Sequence, residues 1–332
     1  MNILNKFTLR TLGKNKVRTL VTIIGIILSA SMITAVTTCV SSLRNFLINV
    51  VIEQDGDWHG VAYDVSKQQI DTLNNNSQVD SFVYIQNIGY ALLQDSQNEY
   101  KPYLFVGGMS DNFADAMPVN LIKGKLPENP SEIILPKHLE TNGNVKYSIG
   151  DMLTLSLGRR VSEGLELNQN DGLLKVNNEV KEKLEVNKQR TYTVVGFYER
   201  PGFENYSAPG YTALTVSDNS DRDKYDVYIK TNKLKNIYAF LEDNFPKNST
   251  ETHKDLLRYS GVSDDTNFNA VLYRLAAILI ALIMFGSISL IYNAFSISLS
   301  ERTKQFGLLS SVGATKRQML RSVLFEAAFL SL

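Results

Sequence analysis

Two long uncharged apolar runs, Leu20 to Val40 and Leu275 to Ser300, constrain this chain more than any other feature. Each is about the twenty residues that an α-helix needs to cross a hydrocarbon core of roughly 30 Å. A Lys or Arg at the centre of such a helix costs about 2.5–3.5 kcal/mol, so the lack of charge is what a spanning helix requires. A secretory signal peptide shares the basic start and apolar stretch. The first run is longer than a typical signal core, however, and no small-x-small cleavage site follows it. The runs predict transmembrane helices over 20–43 and 271–300, separated by a large segment, 44–270.

Charge distribution sets the orientation. The totals cancel, 34 Lys and Arg against 34 Asp and Glu, so no global field points to a nucleic-acid partner. Locally, Lys6, Arg10, Lys14, Lys16 and Arg18 all precede the first acidic residue, Glu53, while Arg302, Lys304, Lys316, Arg317 and Arg321 follow the second run. The positive-inside rule then puts the N-terminus (1–19) and the segment 301–321 in the cytoplasm, and 44–270 outside, in a multi-pass protein of the cell membrane. A lone cysteine, Cys39, excludes an internal disulfide. In the first run Gly25 and Ser29 lie four apart, a spacing that lets another helix approach closely.

The middle segment reads as folded. Alternation over 58–65, 82–93, 103–106 and 226–230 predicts strands, and Ser66 caps a short helix to Leu73. Short strands at 132–135, 152–157 and 191–198 predict a β-rich unit, placed at about 131–215, inside a mixed α/β one, with a further helix over 234–245. The fold class is therefore an α+β membrane protein. Between Val161 and Arg190 the composition turns to Glu, Asn and Lys, which suits a long hairpin loop or an exposed helix. Asn168, Asn170 and Glu179 fall near calcium-loop offsets, but Gly172 is one position early and carboxylates are few.

No catalytic pattern stands out, and the expectation is a protein that is not an enzyme and needs no cofactor. His59, His138 and His253 are isolated from metal-ligand spacings. No G-x-x-x-x-G-K-[ST] loop is present, so ATP hydrolysis by that route must come from another chain.

After the second run comes Ser300 to Met319, basic and punctuated by glycine. Phe306, Leu309 and Val312 recur at helical spacing, and Gly313 marks a break between two short helices, the second starting near Thr315. A segment docking on a cytoplasmic partner and a helix lying on the membrane surface share this pattern.

The order of these parts resembles the MacB/FtsX family of ABC-transporter permeases. The residues that carry the resemblance are Gly124-Lys125-Leu126-Pro127, Glu132-Ile133-Ile134-Leu135, Ile149-Gly150-Asp151, Tyr192 to Gly196, and Gly307 to Ala314 after the second run. Gly56 to His59 is similar to the start of the outer domain in members from Gram-positive bacteria. The resemblance implies a mixed α/β outer subdomain interrupted by a β-rich one, and a cytoplasmic ABC ATPase subunit as partner. It also implies a second permease copy or a paralogue. It makes Glu301, Arg302, Phe306, Gly307, Leu309, Gly313, Ala314, Lys316 and Arg317 the ATPase-coupling set. Gln305-Phe306 departs from the acidic and aliphatic pair of many relatives, so the resemblance does not carry over a salt bridge from that site to the ATPase.

Such a permease passes ATP-driven movement to its outer domain, for export or extraction of peptides, lipoproteins or other amphiphiles. An activator of cell-wall hydrolases is the alternative within the family. A two-span sensor receptor is the alternative outside it, and the apolar turn at Ser322 to Leu332 disfavours a receptor, which continues into a charged linker. That turn reads as the start of a third span, so the expectation is the N-terminal portion of a longer permease.

Overall fold

The computed structural model describes residues 3–14, 16–177, 179–218, 223–263 and 267–331; within the helices the side chains of 3–5, 7, 18, 267, 290–291, 293–302, 304–305, 327 and 330–331 lie outside the described set. The chain forms two compact units. One comprises 1–45 and 266–332, the other Phe46–Asp265.

The first unit begins with α1 (Ile3–Lys14) and most of α2 (Lys16–Asp55), a single 40-residue helix. No proline interrupts α2, and its helical hydrogen bonding continues from the apolar run into the more polar residues after Val40. Thr34 and Thr37 satisfy their hydroxyls on carbonyls one turn back, Thr34 on Ala30 and Thr37 on Ile33, which removes the cost of carrying hydroxyls in an apolar stretch. Over Thr19–Asp55 α2 is long and apolar enough to cross a membrane.

The second unit is a sheet with helices around it. In chain order it contains β1 (Gly60–Val65), α3 (Lys67–Leu73), β2 (Val79–Leu92), β3 (Tyr103–Met109), α4 (Phe113–Ala116), β4 (Leu121–Gly124), β5 (Glu132–Pro136) and α5 (His138–Thr141). There follow β6 (Met152–Ser162), β7 (Leu165–Leu167), β8 (Lys175–Val176), β9 (Glu179–Val180), β10 (Lys183–Tyr198), β11 (Gly210–Val216), β12 (Tyr225–Thr231), α6 (Ile237–Asn244), β13 (Thr250–Thr252) and α7 (Lys254–Ser260). Strand order is β13-β1-β12-β2-β3-β11-β5-β10-β6-β7, so the mixed and β-rich stretches of sequence form the two ends of one sheet.

Side-chain alternation explains why both faces are covered. Ile133, Leu135 and Val194 enter one core with Leu104 and Leu155, while their neighbours Ile134 and Val195 enter another on the opposite face with Phe105, Leu214 and Tyr198. At the far end Ala62, Val65, Val227 and Ile229 pack under Ile70 of α3, Phe240 of α6 and Leu257 of α7. α3 opens on a full capping box: Ser66 accepts from the Gln69 N–H, and Gln69 accepts from the Ser66 N–H.

Among its described residues the polar stretch after Val161 contains no helix; it is the far part of the β6–β10 hairpin, which pairs from Thr193↔Met152 to Lys183↔Val161. Its loop is organised by Arg160, whose side chain is fully buried. Nε and Nη2 donate to the two oxygens of Glu182 at 2.7 and 2.8 Å. Nη1 donates to the carbonyls of Asn168 and Asp171 at 2.7 and 3.0 Å, and Nη2 also to that of Gly172 at 3.2 Å. The rings of Tyr90 and Tyr103 lie 5.4 and 5.7 Å from the guanidinium carbon. Burial alone pushes the Glu182 carboxyl up, but the bonds from Arg160 and the Leu174 N–H outweigh it and hold the group below the ordinary range. The calcium-loop reading gives way to local geometry: Asn168 accepts from the backbone of Asn170 and Asp171, and Asp171 accepts from the Asn168 N–H. Among the described residues no acidic or histidine cluster fit for a metal forms.

Completing the first unit, α8 (Asn267–Ser311) and α9 (Lys316–Ser331) follow. α8 is long and apolar enough to cross a membrane over Phe268–Ser289.

Removing one partner of a buried ion pair costs about 3–5 kcal/mol, whereas replacing both by apolar residues is near neutral. Arg160→Met is therefore expected to lower the denaturant midpoint of the middle unit sharply, and Arg160→Met with Glu182→Leu to recover much of it. Equal losses in the single and double variants would contradict a pair that acts as one element.

Candidate functional site

The segment after the second apolar run is not two short helices. Residues 301–311 are the end of the 45-residue α8, so the helix passes without a break from the apolar stretch into the basic one. It stops where backbone geometry makes it stop. Gly313 adopts φ +92°, which costs about 1–2 kcal/mol for residues with a Cβ. The Gly313 N–H then reaches the Ser310 carbonyl at 3.0 Å and the Ala314 N–H the Leu309 carbonyl at 2.9 Å, the paired bonds of a Schellman stop.

One residue later α9 opens on a second cap. Gln318 N–H donates to Thr315 Oγ1 at 3.3 Å, and Thr315 N–H donates to Gln318 Oε1 at 2.9 Å. Helix, stop and restart thus occupy seven residues, Gly313 sits between two satisfied ends, and the turn has a defined geometry.

Around this turn the anticipated residues distribute as follows. Phe306, Leu309 and Ala314 are half-buried, and Gly307, Gly313, Lys316 and Arg317 are exposed. Val312, expected on the face of Phe306 and Leu309, is 86% exposed because it lies past the helix end. Glu301 and Arg302 lie in α8 with side chains outside the described set. Gly25 and Ser29 are a turn apart in α2; Ser29 Oγ donates to the Gly25 carbonyl at 2.6 Å, and a Cβ at Gly25 would meet nothing within 4 Å. Gly25 itself is buried and Ser29 half-buried.

A second element went unread in the sequence apart from its Gly-Asp-Trp-His letters. It is the joint where α2 ends in the middle unit. Gly56 closes the last turn by donating to the Ile52 carbonyl at 2.9 Å, then takes φ +99°. A Cβ there would stand 2.9 Å from both the Ala116 carbonyl oxygen and Met117 Sδ. Asp57 N–H donates to that same Ala116 carbonyl at 3.0 Å, and its carboxylate meets Lys230 Nζ at 2.5 Å.

Trp58 holds the helix from the side. Its Nε1–H donates to the Asp55 carbonyl at 2.7 Å, its ring lies over His253 at 4.4 Å, and its edge meets Tyr228 at 5.4 Å. His59 completes the fastening: its N–H donates to Ile229, and its carbonyl accepts from His253, both at 2.9 Å. Burial pulls the His59 pKa down to about 4, so the ring is neutral at physiological pH. The Thr231 N–H donates to Nδ1 at 3.0 Å, which requires the lone pair there and puts the proton on Nε2. On the other side of α2 the backbone at Gly202 comes so near that a Cβ would lie 2.4 Å from the Gln54 carbonyl oxygen.

Residues 277–332 match the family described as FtsX-like permease C-terminal. The chain is FtsX-like in this segment. The capped turn at Gly313 therefore lies inside the matched segment, whereas the joint at Gly56 lies in the unit that precedes it. Among solved structures, the extracellular domain of the noncanonic ABC-type transporter YknZ from Gram-positive bacteria matches 59% of this chain and 99% of its own, at 10% identity and a TM-score of 0.32. The periplasmic region of MacB from Actinobacillus actinomycetemcomitans matches 65% of this chain and 97% of its own, at 11% identity and a TM-score of 0.34. No curated protein matches the chain.

The joint makes a specific demand on Gly56, which must adopt a left-handed conformation in a space that excludes a Cβ. Gly56→Ala is expected to accelerate amide hydrogen exchange of the last turn of α2 and of 57–59, by roughly tenfold for each 1.4 kcal/mol of strain, while β6 and β10 exchange as before. Unchanged exchange at 52–59 would show that the joint tolerates the methyl group and is looser than its contacts imply.

Proposed function

We propose that this chain is the transmembrane subunit of an ABC transporter, converting the movement of a separate cytoplasmic ABC ATPase into movement of its outer domain. The observation that carries this reading is the unbroken α8, which runs from an apolar stretch into a turn fixed by caps on both sides, within the segment that matches the FtsX-like family. A turn of that kind cannot absorb a displacement by fraying, so a partner that pushes on Gly307 to Arg317 pushes on the helix axis. The positive charge at Lys316 and Arg317 suits an acidic partner surface, and the charge asymmetry of the ends supports a cytoplasmic position for it.

In this reading the protein is a multi-pass component of the cell membrane with 46–265 outside. It performs no chemistry itself, and ATP is hydrolysed by the partner. The small residues Gly25 and Ser29, four apart, suit the close approach of a helix of a second permease, whether another copy or a paralogue. Work is delivered outside, through the joint at Gly56 to His59, on peptides, lipoproteins or other amphiphiles.

Substitutions at Gly313 test the reading because residues differ in their tolerance of positive φ. Asn enters the left-handed region readily, whereas a β-branched residue does so at high cost. Gly313→Asn is expected to preserve ATP-driven function of the assembled complex. Gly313→Val is expected to leave ATP hydrolysis running while severing it from that function. Normal function in Gly313→Val would refute a transmitting role for the turn.

A further inference from the structure

α1 and α9 pack together in the first unit, and the buried residues described there combine hydroxyl side chains with a leucine. Thr8 and Leu12 of α1 are each 4% exposed, Ser322 of α9 is buried, and the hydroxyls of Thr8 and Ser322 lie 2.7 Å apart. Thr19 at the start of α2 donates its hydroxyl to the Leu12 carbonyl at 3.0 Å, which ties the end of α1 down as well. α1 is therefore a docked element.

Docking uses up one face of α1 and leaves a cationic one. Lys6, Arg10 and Lys14 recur every four residues, so they share a face, and all three are exposed. Thr8 lies two positions from both Lys6 and Arg10, about 200° around the helix at 100° per residue, so the row of cations is turned away from the buried contact. α1 has no acidic residue, and the single one in α9, Glu326, is buried. On α9, Lys316, Arg317 and Arg321 are exposed, and Arg321 adjoins the Ser322 that holds Thr8.

We propose that α1 is a second docking element for the ATPase, its Lys6–Arg10–Lys14 row extending the basic surface of Lys316, Arg317 and Arg321 onto one acidic protein face. An anionic membrane is the other partner that such charges fit. A helix that lies on lipid buries an apolar face in the headgroup boundary and keeps its cations beside it. In α1 the face carrying Leu12 is already buried against its own chain, which leaves the cationic row for a partner that offers charge rather than hydrocarbon. This inference rests on the coupling reading above and names a further element of the same contact.

The test uses the full chain in nanodiscs with the purified ABC ATPase subunit of its assembled complex. Affinity is measured in neutral phosphatidylcholine and in anionic phosphatidylglycerol. Lys6→Gln, Arg10→Gln and Lys14→Gln together are expected to weaken ATPase binding about tenfold in both lipids and to flatten its salt dependence, the scale for three partly screened charges. Lys6→Arg with Lys14→Arg should bind as the parent. A disulfide between Thr8→Cys and Ser322→Cys, in a Cys39→Ser background, should still form in the triple variant and show that α1 remains docked.

Parental affinity in the triple variant, or weakening confined to anionic lipid, would overturn the role of α1 while leaving the coupling reading in place. Failure of the parent chain to bind the ATPase would remove both. Loss of the disulfide in the triple variant would show that the row holds α1 onto α9 instead of meeting a partner, and would also overturn the proposal.

Discussion

A helix that leaves a hydrocarbon core can move a folded domain only if that domain holds its last turn. α2 meets this condition through a short stretch of backbone. From Gly56 to His59 three main-chain polar groups are passed directly to the middle unit: the Asp57 N–H to Ala116, the His59 N–H to Ile229, and the His59 carbonyl to the His253 N–H. These hydrogen bonds are strong where water is excluded, and leaving them unmade in a buried site costs about 1–3 kcal/mol each. Gly56 is the residue that lets the chain turn from helix axis to strand without pushing Ala116 and Met117 away. The neutral His59 and the stacked Trp58 then fill the space that the turn creates.

The same economy of polar groups shapes the rest of the middle unit. A sheet buried on both faces leaves few places for charge, and where charge is buried it is fully partnered. Arg160 and Glu182 close the long hairpin loop in this way. Glu204 does so nearby, with Lys101 at 2.9 Å, His138 at 2.8 Å and the Thr212 N–H at 2.8 Å; burial pushes its carboxyl up, yet those bonds bring it down to about 2. Asp226 is the contrast. It accepts from the Asp64 N–H at 3.3 Å, and burial next to the Asp64 carboxylate raises its pKa to about 7. Around Arg160 and Glu204 the unit that α2 enters is thus locked by charge-assisted hydrogen bonds, which suits a body that is moved as a whole.

Much of this was legible in the sequence where a single physical rule acts locally. Strand alternation exposed β5 and β10, Ser66 announced the cap of α3, and Gly313 announced the helix stop, since each depends on residues only a few positions apart. The extent of α8 was not legible, because the change from apolar to charged residues at Ser300 suggests a boundary that the backbone hydrogen bonds do not sense. The 163–182 loop read as solvated because its organising pair, Arg160 and Glu182, is 22 residues apart and looks like ordinary surface charge. The joint at Gly56 was hidden for the same reason: its partners Ala116, Tyr228 with Thr231, and His253 come from three distant stretches.

If the joint between α2 and the middle unit transmits force, inserting three glycines between Asp55 and Gly56 severs that transmission. The measurement is energy transfer between a dye at Ser77→Cys, in a Cys39→Ser background, and an acceptor lipid in the bilayer, followed with ATP hydrolysis in the assembled complex. The account predicts an ATP-dependent change in transfer for the parent, and its loss in the insertion variant while hydrolysis continues. The same ATP-dependent change in the insertion variant would contradict it.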